Sequence, residues 1–197
     1  MIDYGAGTGR LSIPLRQLGY SVISVEMKPA MAYILEKKAE EMGLDIPVHV
    51  CSIEKFQNGT ADMALCLFRV LNQIIDYSQM KRSLEVMTSH LTNGGYLFID
   101  LPNDAFFNVG QILRVDESNY HRMVSSIPIE RPLYILDESS SGRKDGVAYE
   151  FDEKTTLRKW RWDEIDLMLE GLGMVILKDE FPEMIATNSK YKMYWKI

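Results

Sequence analysis

Apolar positions along this chain alternate between two kinds of run, and their order predicts the architecture. Short stretches that are apolar on both faces, such as Val22-Ile23-Ser24-Val25, read as buried strands of a parallel sheet. Between them lie longer stretches with apolar residues at helical spacing. Thr8–Leu18 places Leu11, Leu15 and Leu18 on one face. Tyr77–Leu91 does the same with Met80, Leu84, Met87 and Leu91. A helix opened by Pro29 runs to about Met42 and stops at Gly43. Strands are predicted at Ile2–Tyr4, Ser21–Val25, Val48–Cys51, Ala61–Leu67 and Tyr96–Leu101, the last preceded by an Asn93-Gly94-Gly95 turn. Strands separated by helices at this interval make a parallel α/β sheet.

After Asn103 the pattern changes. Tyr120–Ile127, Pro132–Asp137 and Val147–Thr156 are β-rich runs without intervening helices, and Ser139–Gly146 reads as a turn or loop between the last two. Regular order returns with a helix over Asp163–Leu172, closed by Gly173. Strands follow at Met174–Phe181 and Tyr191–Ile197, expected as an antiparallel edge pair. The predicted fold is α/β: a doubly wound, mostly parallel seven-stranded sheet with an antiparallel β insertion after strand 5. Residues 1–197 form one domain, and residues 104–159 form an inserted β-rich lid.

Composition narrows the function. The chain has 197 residues and a formal net charge of -6, without a Lys/Arg stripe, a poor match to nucleic acid. No apolar run approaches the roughly 18 residues a membrane span needs. Cys51 and Cys66 lie in apolar segments, as free thiols in a reducing cytoplasm do. His49, His90 and His121 are scattered singly, so no metal site is expected.

The chemistry concentrates near the start. Ile2-Asp3-Tyr4-Gly5-Ala6-Gly7-Thr8-Gly9-Arg10 is a strand running into a glycine-rich turn and then a helix. A dinucleotide fingerprint, G-x-G-x-x-G, would need its third glycine at Arg10; here it falls at Gly9, giving G-x-G-x-G. Glu26 closes the following strand, near where a doubly wound fold holds its ribose-binding carboxylate.

These residues resemble motif I of the class I S-adenosylmethionine-dependent methyltransferases. Val25-Glu26-Met27-Lys28-Pro29-Ala30-Met31 is similar to that family's second-strand end, Asp62–Asn72 to its fourth strand, and Asn93–Asp100 to its fifth. The resemblance spans nearly the whole chain and is weakest over 104–159. It implies a Rossmann-like methyltransferase fold, S-adenosyl-L-methionine as cofactor and a small-molecule acceptor. It implies cofactor contacts from Asp3, Tyr4, Gly5, Ala6, Gly7, Gly9, Arg10, Glu26, Met27, Met31, Ser52, Ile53, Leu67 and Phe68. Met31 is equally readable as core, and Arg69 is equally readable as a wall of the methionine site or a solvated surface residue. A segment preceding Met1, helping to cover the cofactor, is also expected.

Two positions depart from the family pattern. Ser52 stands where an Asp usually accepts from the adenine amino group, leaving Ser52 itself or Glu54 to do so. Arg161 stands at the usual Ser/Thr cap of the late helix, with Asp163 able to cap a later start. No Asn/Asp-Pro-Pro-Tyr follows the fourth strand, and no catalytic base is assigned. Tyr120, His121 and Tyr149 are more simply packed or surface residues. Three other readings stay open: a non-catalytic S-adenosylmethionine-binding module, an aminopropyl-type transferase on the same fold, and a nicotinamide oxidoreductase, which the glycine spacing disfavours. The insertion is also readable as a structural or homodimer-forming extension.

Overall fold

The computed structural model describes residues 1–108, 110–117, 120–144, 146–177 and 188–197. In chain order the first half runs β1 (Ile2–Tyr4), α1 (Ser12–Gln17), β2 (Ile23–Glu26), α2 (Pro29–Glu41), β3 (Val48–Val50), β4 (Ala61–Cys66), α3 (Tyr77–Ser89) and β5 (Leu91–Pro102). The second half adds β6 (Gly110–Glu117), β7 (Tyr120–Pro128), β8 (Leu133–Lys144), β9 (Val147–Arg158), α4 (Trp162–Glu170), β10 (Met174–Ile176) and β11 (Ser189–Lys196). The main sheet has seven strands in the order β10-β11-β5-β4-β1-β2-β3. Strands β1 to β5 pair in parallel, while β11 pairs antiparallel with both β5 and β10. Strand β1 therefore sits where the order reverses, with β2 on one side and β4 on the other, the place where open α/β sheets bind ligands at their carboxyl edge.

The two faces of the sheet bury different helices, which is what doubly wound means physically. On one, Met80, Leu84 and Met87 of α3 and Ile165 and Leu169 of α4 pack on Ala64, Leu97 and Ile99. On the other, Ile13, Leu35 and Ala39 pack with Ala6 and Ile46. Each fully buried Leu or Met contributes about 1.5–3 kcal/mol, so the helical spacing in the sequence fixes which face each helix presents.

The insertion after β5 is a second, four-stranded antiparallel sheet in the order β6-β7-β8-β9. Its inner face carries Val124, Tyr134, Leu136 and Leu157, which cluster with Phe106 and Phe107 of the 3₁₀ turn Asp104–Phe107. Three expectations change. Ser139–Lys144 is strand, not loop, because Ser139, Ser140 and Ser141 are paired on both sides, to Met123, Arg122 and His121 and to Asp152, Phe151 and Glu150. Pairing on two edges overrides the local turn preference of serine. Strand β6 was not foreseen in the pattern. Helix α1 starts at Ser12 rather than Thr8 because Gly9, at φ +88°, holds a non-helical backbone.

Smaller differences follow the same logic. The expected Asn93-Gly94-Gly95 turn is an irregularity inside β5, where the partner of β4 jumps from Ala61↔Leu91 to Met63↔Tyr96. At the start of α4, Arg161 is the cap residue, and its N–H donates to Glu164 Oε2 at 3.0 Å. The strand expected over Met174–Phe181 is observed as β10 over Met174–Ile176; residues 178–181 lie outside the described residues.

Candidate active site

The three glycines after β1 all have positive φ, +76° at Gly5, +57° at Gly7 and +88° at Gly9. Their reasons differ. A Cβ on Gly5 would lie 2.3 Å from the Val70 side chain, and one on Gly9 2.8 Å from Ile13. A Cβ on Gly7 would meet nothing within 4 Å. Gly5 and Gly9 are thus demanded by packing, whereas Gly7 borders open space. The loop is pinned by Val25, whose carbonyl accepts the N–H groups of Gly5 and Ala6 at 2.8 and 3.1 Å.

Beneath the loop, Ser12 Oγ donates to Asp3 Oδ2 at 2.6 Å, and Ser24 Oγ donates to Ser12 Oγ at 2.8 Å. This buried chain ties β1, α1 and β2 together. Burial pushes the Asp3 carboxyl up to about 6, against the Ser12 hydrogen bond, which favours the charged form.

Glu26 ends β2 and is 7% exposed. Its Oε2 accepts from the Gly7 N–H and its Oε1 from the Lys28 N–H, both at 2.8 Å. A carboxylate offers about four lone-pair positions, so each oxygen keeps capacity for a further donor.

Gly7 and Glu26 border a cavity of about 270 Å³ at the carboxyl ends of β1, β2 and β4. Gly5 and Met31 border it too; Met31 faces the cavity and not only the core. Met27, 56% exposed, stands at its mouth. Ser52 and Ile53 form another side, and Leu67 and Phe68 a third. The other candidates stand behind this wall. Asp3, Tyr4, Ala6 and Gly9 are buried supports of the loop, with the Tyr4 ring edge-on to Phe56 in the core. Arg10 is exposed, its guanidinium 4.7 Å from the centre of the Phe68 ring.

At the departure position after β3, Ser52 Oγ donates to Glu54 Oε1 at 2.9 Å, and Gln79 Nε2 of α3 donates to the same oxygen at 3.3 Å. All three residues border the cavity. An acid thus stands on the cavity wall two residues after Ser52, oriented by two neutral donors.

Sequence reasoning missed the far wall. Leu136 and Glu138 of β8 and Glu153, Thr155 and Leu157 of β9 border the same cavity. They alternate along their strands and pair across them, Leu136↔Thr155 and Glu138↔Glu153. That period-two pattern was the available signal. Lys28 links the two halves: its Nζ lies 2.8 Å from Glu153 Oε1. Tyr120, His121 and Tyr149 do not border this cavity; His121 pairs with Asp116 on the other side of the insertion.

The loop after β4 holds two successive non-glycine residues in the left-handed region, Phe68 at φ +64° and Arg69 at φ +69°. Such residues are strained and persist where their surroundings fix them. Here the fully buried Asp100 accepts the Arg69 N–H at 3.2 Å. Burial raises the Asp100 carboxyl above its ordinary range. The Arg69 side chain is not a solvated surface group: it is half-buried, borders the cavity and lies 5.0 Å from the Phe106 ring centre.

Among the described residues, no group of three His, Cys, Asp or Glu is placed to hold a metal ion, and no helix is long and apolar enough to cross a membrane. Cys51 and Cys66 are free thiols.

Residues 1–95 match the family model described as "Methyltransferase domain". No curated protein matches the sequence. Among solved structures, the chain is similar to a S-adenosylmethionine-dependent methyltransferase from Clostridium acetobutylicum, with TM-score 0.85 and 20% identity over 99% of this chain and 82% of that one. It is also similar to SAM-bound CalS10, an amino pentose methyltransferase from Micromonospora echinaspora, with TM-score 0.79 and 19% identity over 100% and 82%. A third is the CcbJ methyltransferase from Streptomyces caelestis, with TM-score 0.82 and 18% identity over 100% and 88%.

Proposed function

We propose that this chain, a class I S-adenosylmethionine-dependent methyltransferase by its residues 1–95 and by its fold, methylates a small-molecule acceptor. The observation that carries this is Glu26: a buried acid tied to the Gly7 and Lys28 amides on the wall of a cavity shared by the glycine loop and the insertion.

The residues present fit S-adenosylmethionine. Gly7 leaves free space on the cavity side where any side chain would intrude. Glu26 retains acceptor capacity for two adjacent ribose hydroxyls, as charge-assisted bonds. Met27 and Ile53 offer apolar surface to the adenine, and Glu54, set by Ser52 and Gln79, an acceptor for its amino group. Gly5, Leu67 and Phe68 line the remaining side for the methionine portion. When bound, the cofactor supplies an electrophilic methyl group on a good leaving group.

The chain's own contribution is placement. Holding a nucleophile in line and in contact is worth several kcal/mol of barrier. The second sheet, as a lid, supplies the acceptor's walls through Leu136, Thr155 and Leu157 and excludes water. No side chain is assigned as a general base, which is optional for nucleophiles that need no deprotonation. Two solved neighbours, the amino pentose methyltransferase CalS10 and the sugar N-methyltransferase KedS8 from Streptoalloteichus, favour an acceptor of metabolite size. Free Cys51 and Cys66 fit a cytoplasmic enzyme, and the net charge of -6 fits a partner other than nucleic acid.

Calorimetric titration tests this reading. S-adenosylmethionine and S-adenosylhomocysteine should bind and NAD should not; binding of NAD alone would overturn it. Turnover across a metabolite library, followed by formation of S-adenosylhomocysteine, then identifies the acceptor, and cofactor binding without any turnover favours the binding-module reading.

A further inference from the structure

Arg69 is held at unusual cost. Its backbone is left-handed, next to an equally strained Phe68. Its side chain is half-buried, and that burial lowers its pKa below the ordinary arginine value. A desolvated charge of this kind is normally paired. Yet among the described residues no carboxylate oxygen lies within 4.0 Å of it. The two nearest acids, Asp100 and Glu138, favour its charge at longer range without touching its side chain. Glu138 Oε1 takes Nε and Nη2 of Arg122, both at 2.8 Å. Asp100 accepts the backbone N–H of Arg69 itself.

The direction of the side chain is informative. Val70, the next residue, packs against Gly5 and so faces the glycine loop. Arg69 lies over the ring of Phe106 in the 3₁₀ turn that opens the insertion, and it borders the cavity shared with Glu138. A contact with a ring face uses the guanidinium's charge and leaves its N–H donors to bond elsewhere. A planar fork of this type matches the two oxygens of a carboxylate or phosphate.

We propose that Arg69 is the subsite for an anionic group, a carboxylate or a phosphate ester, carried by the methyl acceptor. This rests on the methyltransferase reading and narrows it: the acceptor is an anion or zwitterion, anchored on the insertion side of the cavity by a cation whose strained backbone is fixed by Asp100.

The test uses the full chain saturated with S-adenosylhomocysteine, and in parallel without it. Thermal unfolding is followed while inorganic phosphate or, in a second arm, acetate is titrated at constant ionic strength set with chloride. The wild-type midpoint should rise with at least one anion, and the arm that responds separates the phosphate source from the carboxylate source. R69Q should need at least tenfold more anion for the same rise, and R114Q, altered on the far side of the insertion, should follow the wild type. R69K keeps the charge and loses the fork, so it should need at least threefold more; it carries the test if R69Q does not unfold cooperatively. Equal responses in wild type and R69Q or R69K overturn the proposal, as does a wild type indifferent to both anions. A tenfold loss of S-adenosylhomocysteine affinity in R69Q, with 5′-methylthioadenosine affinity unchanged, also overturns it, giving Arg69 to the methionine carboxylate instead. Failure of wild type to bind S-adenosylhomocysteine counts against the methyltransferase reading, and the arm without that ligand still tests the anion subsite.

Discussion

Glu26 Oε2 accepts the N–H of Gly7 at 2.8 Å, so the terminal acid of β2 is fastened to the middle glycine of the loop that follows β1. The same carboxylate holds the Lys28 amide through its other oxygen. Glu26 therefore shapes the cavity as well as facing it.

Replacing Glu26 by Ala removes both the loop anchor and the proposed acceptor for ribose. S-adenosylhomocysteine affinity should fall by about 1.5–3 kcal/mol, the scale of hydrogen bonds to a charged group. Calorimetry reads this directly, and an unchanged affinity would take Glu26 out of the site.

The glycines should separate by phenotype. Gly7→Val places a side chain in the open space of the cavity, so cofactor binding should be lost while circular dichroism reports a folded, somewhat strained protein. Gly5→Ala drives its Cβ into Val70 and should lower the unfolding midpoint itself. A Gly7→Val protein that binds normally would break the motif assignment.

Glu54 should set the preference for adenine. With Oε1 occupied by Ser52 and Gln79, Oε2 is left to accept from the exocyclic amino group. Glu54→Gln should weaken S-adenosylhomocysteine by about 1.5–3 kcal/mol, again as a charged hydrogen bond. S-inosylhomocysteine, which carries a carbonyl there, should lose far less. Parallel losses for both ligands would show that Glu54 acts only on the fold of the wall.

Asp3 predicts a pH dependence. Its carboxyl is raised from an ordinary 3.8 to about 6 by burial, so the folded state holds this proton more tightly than the unfolded chain does. The contribution is fully present below 3.8 and is lost as pH rises through 6. Relative to Asp3→Asn, wild-type stability should decline by roughly 3 kcal/mol across that window. Urea unfolding of both proteins at several pH values measures the difference, and parallel curves would contradict it.

Much of the main sheet was legible because burial on two faces writes itself as apolar runs, and Pro29 and Gly43 mark the ends of a helix locally. Glu26 was legible for the same reason, as the first acid after such a run. The insertion was harder. Ser139-Ser140-Ser141-Gly142 carries turn residues, and only the strands on either side make it β. The cavity-facing role of Glu153, Thr155 and Leu157 depends on which face of β9 turns inward, which a two-residue period leaves undecided until its neighbours are known. Arg69 shows the limit most clearly. Its burial depends on Phe106, 37 positions further along, and no local pattern connects the two.

Asp104 and Lys159 stand at opposite ends of the insertion, and their side chains meet at 2.8 Å. The chain leaves the sheet and returns to it through one doorway, secured on the inner side by Trp160 Nε1 on the Ile74 carbonyl at 2.9 Å. A segment stitched shut at its own neck behaves as a cassette. It can lengthen, shorten or be exchanged without re-threading the strands that carry the glycine loop. On the proposed division of labour, what the enzyme modifies and what it modifies with are then free to diverge on separate evolutionary clocks.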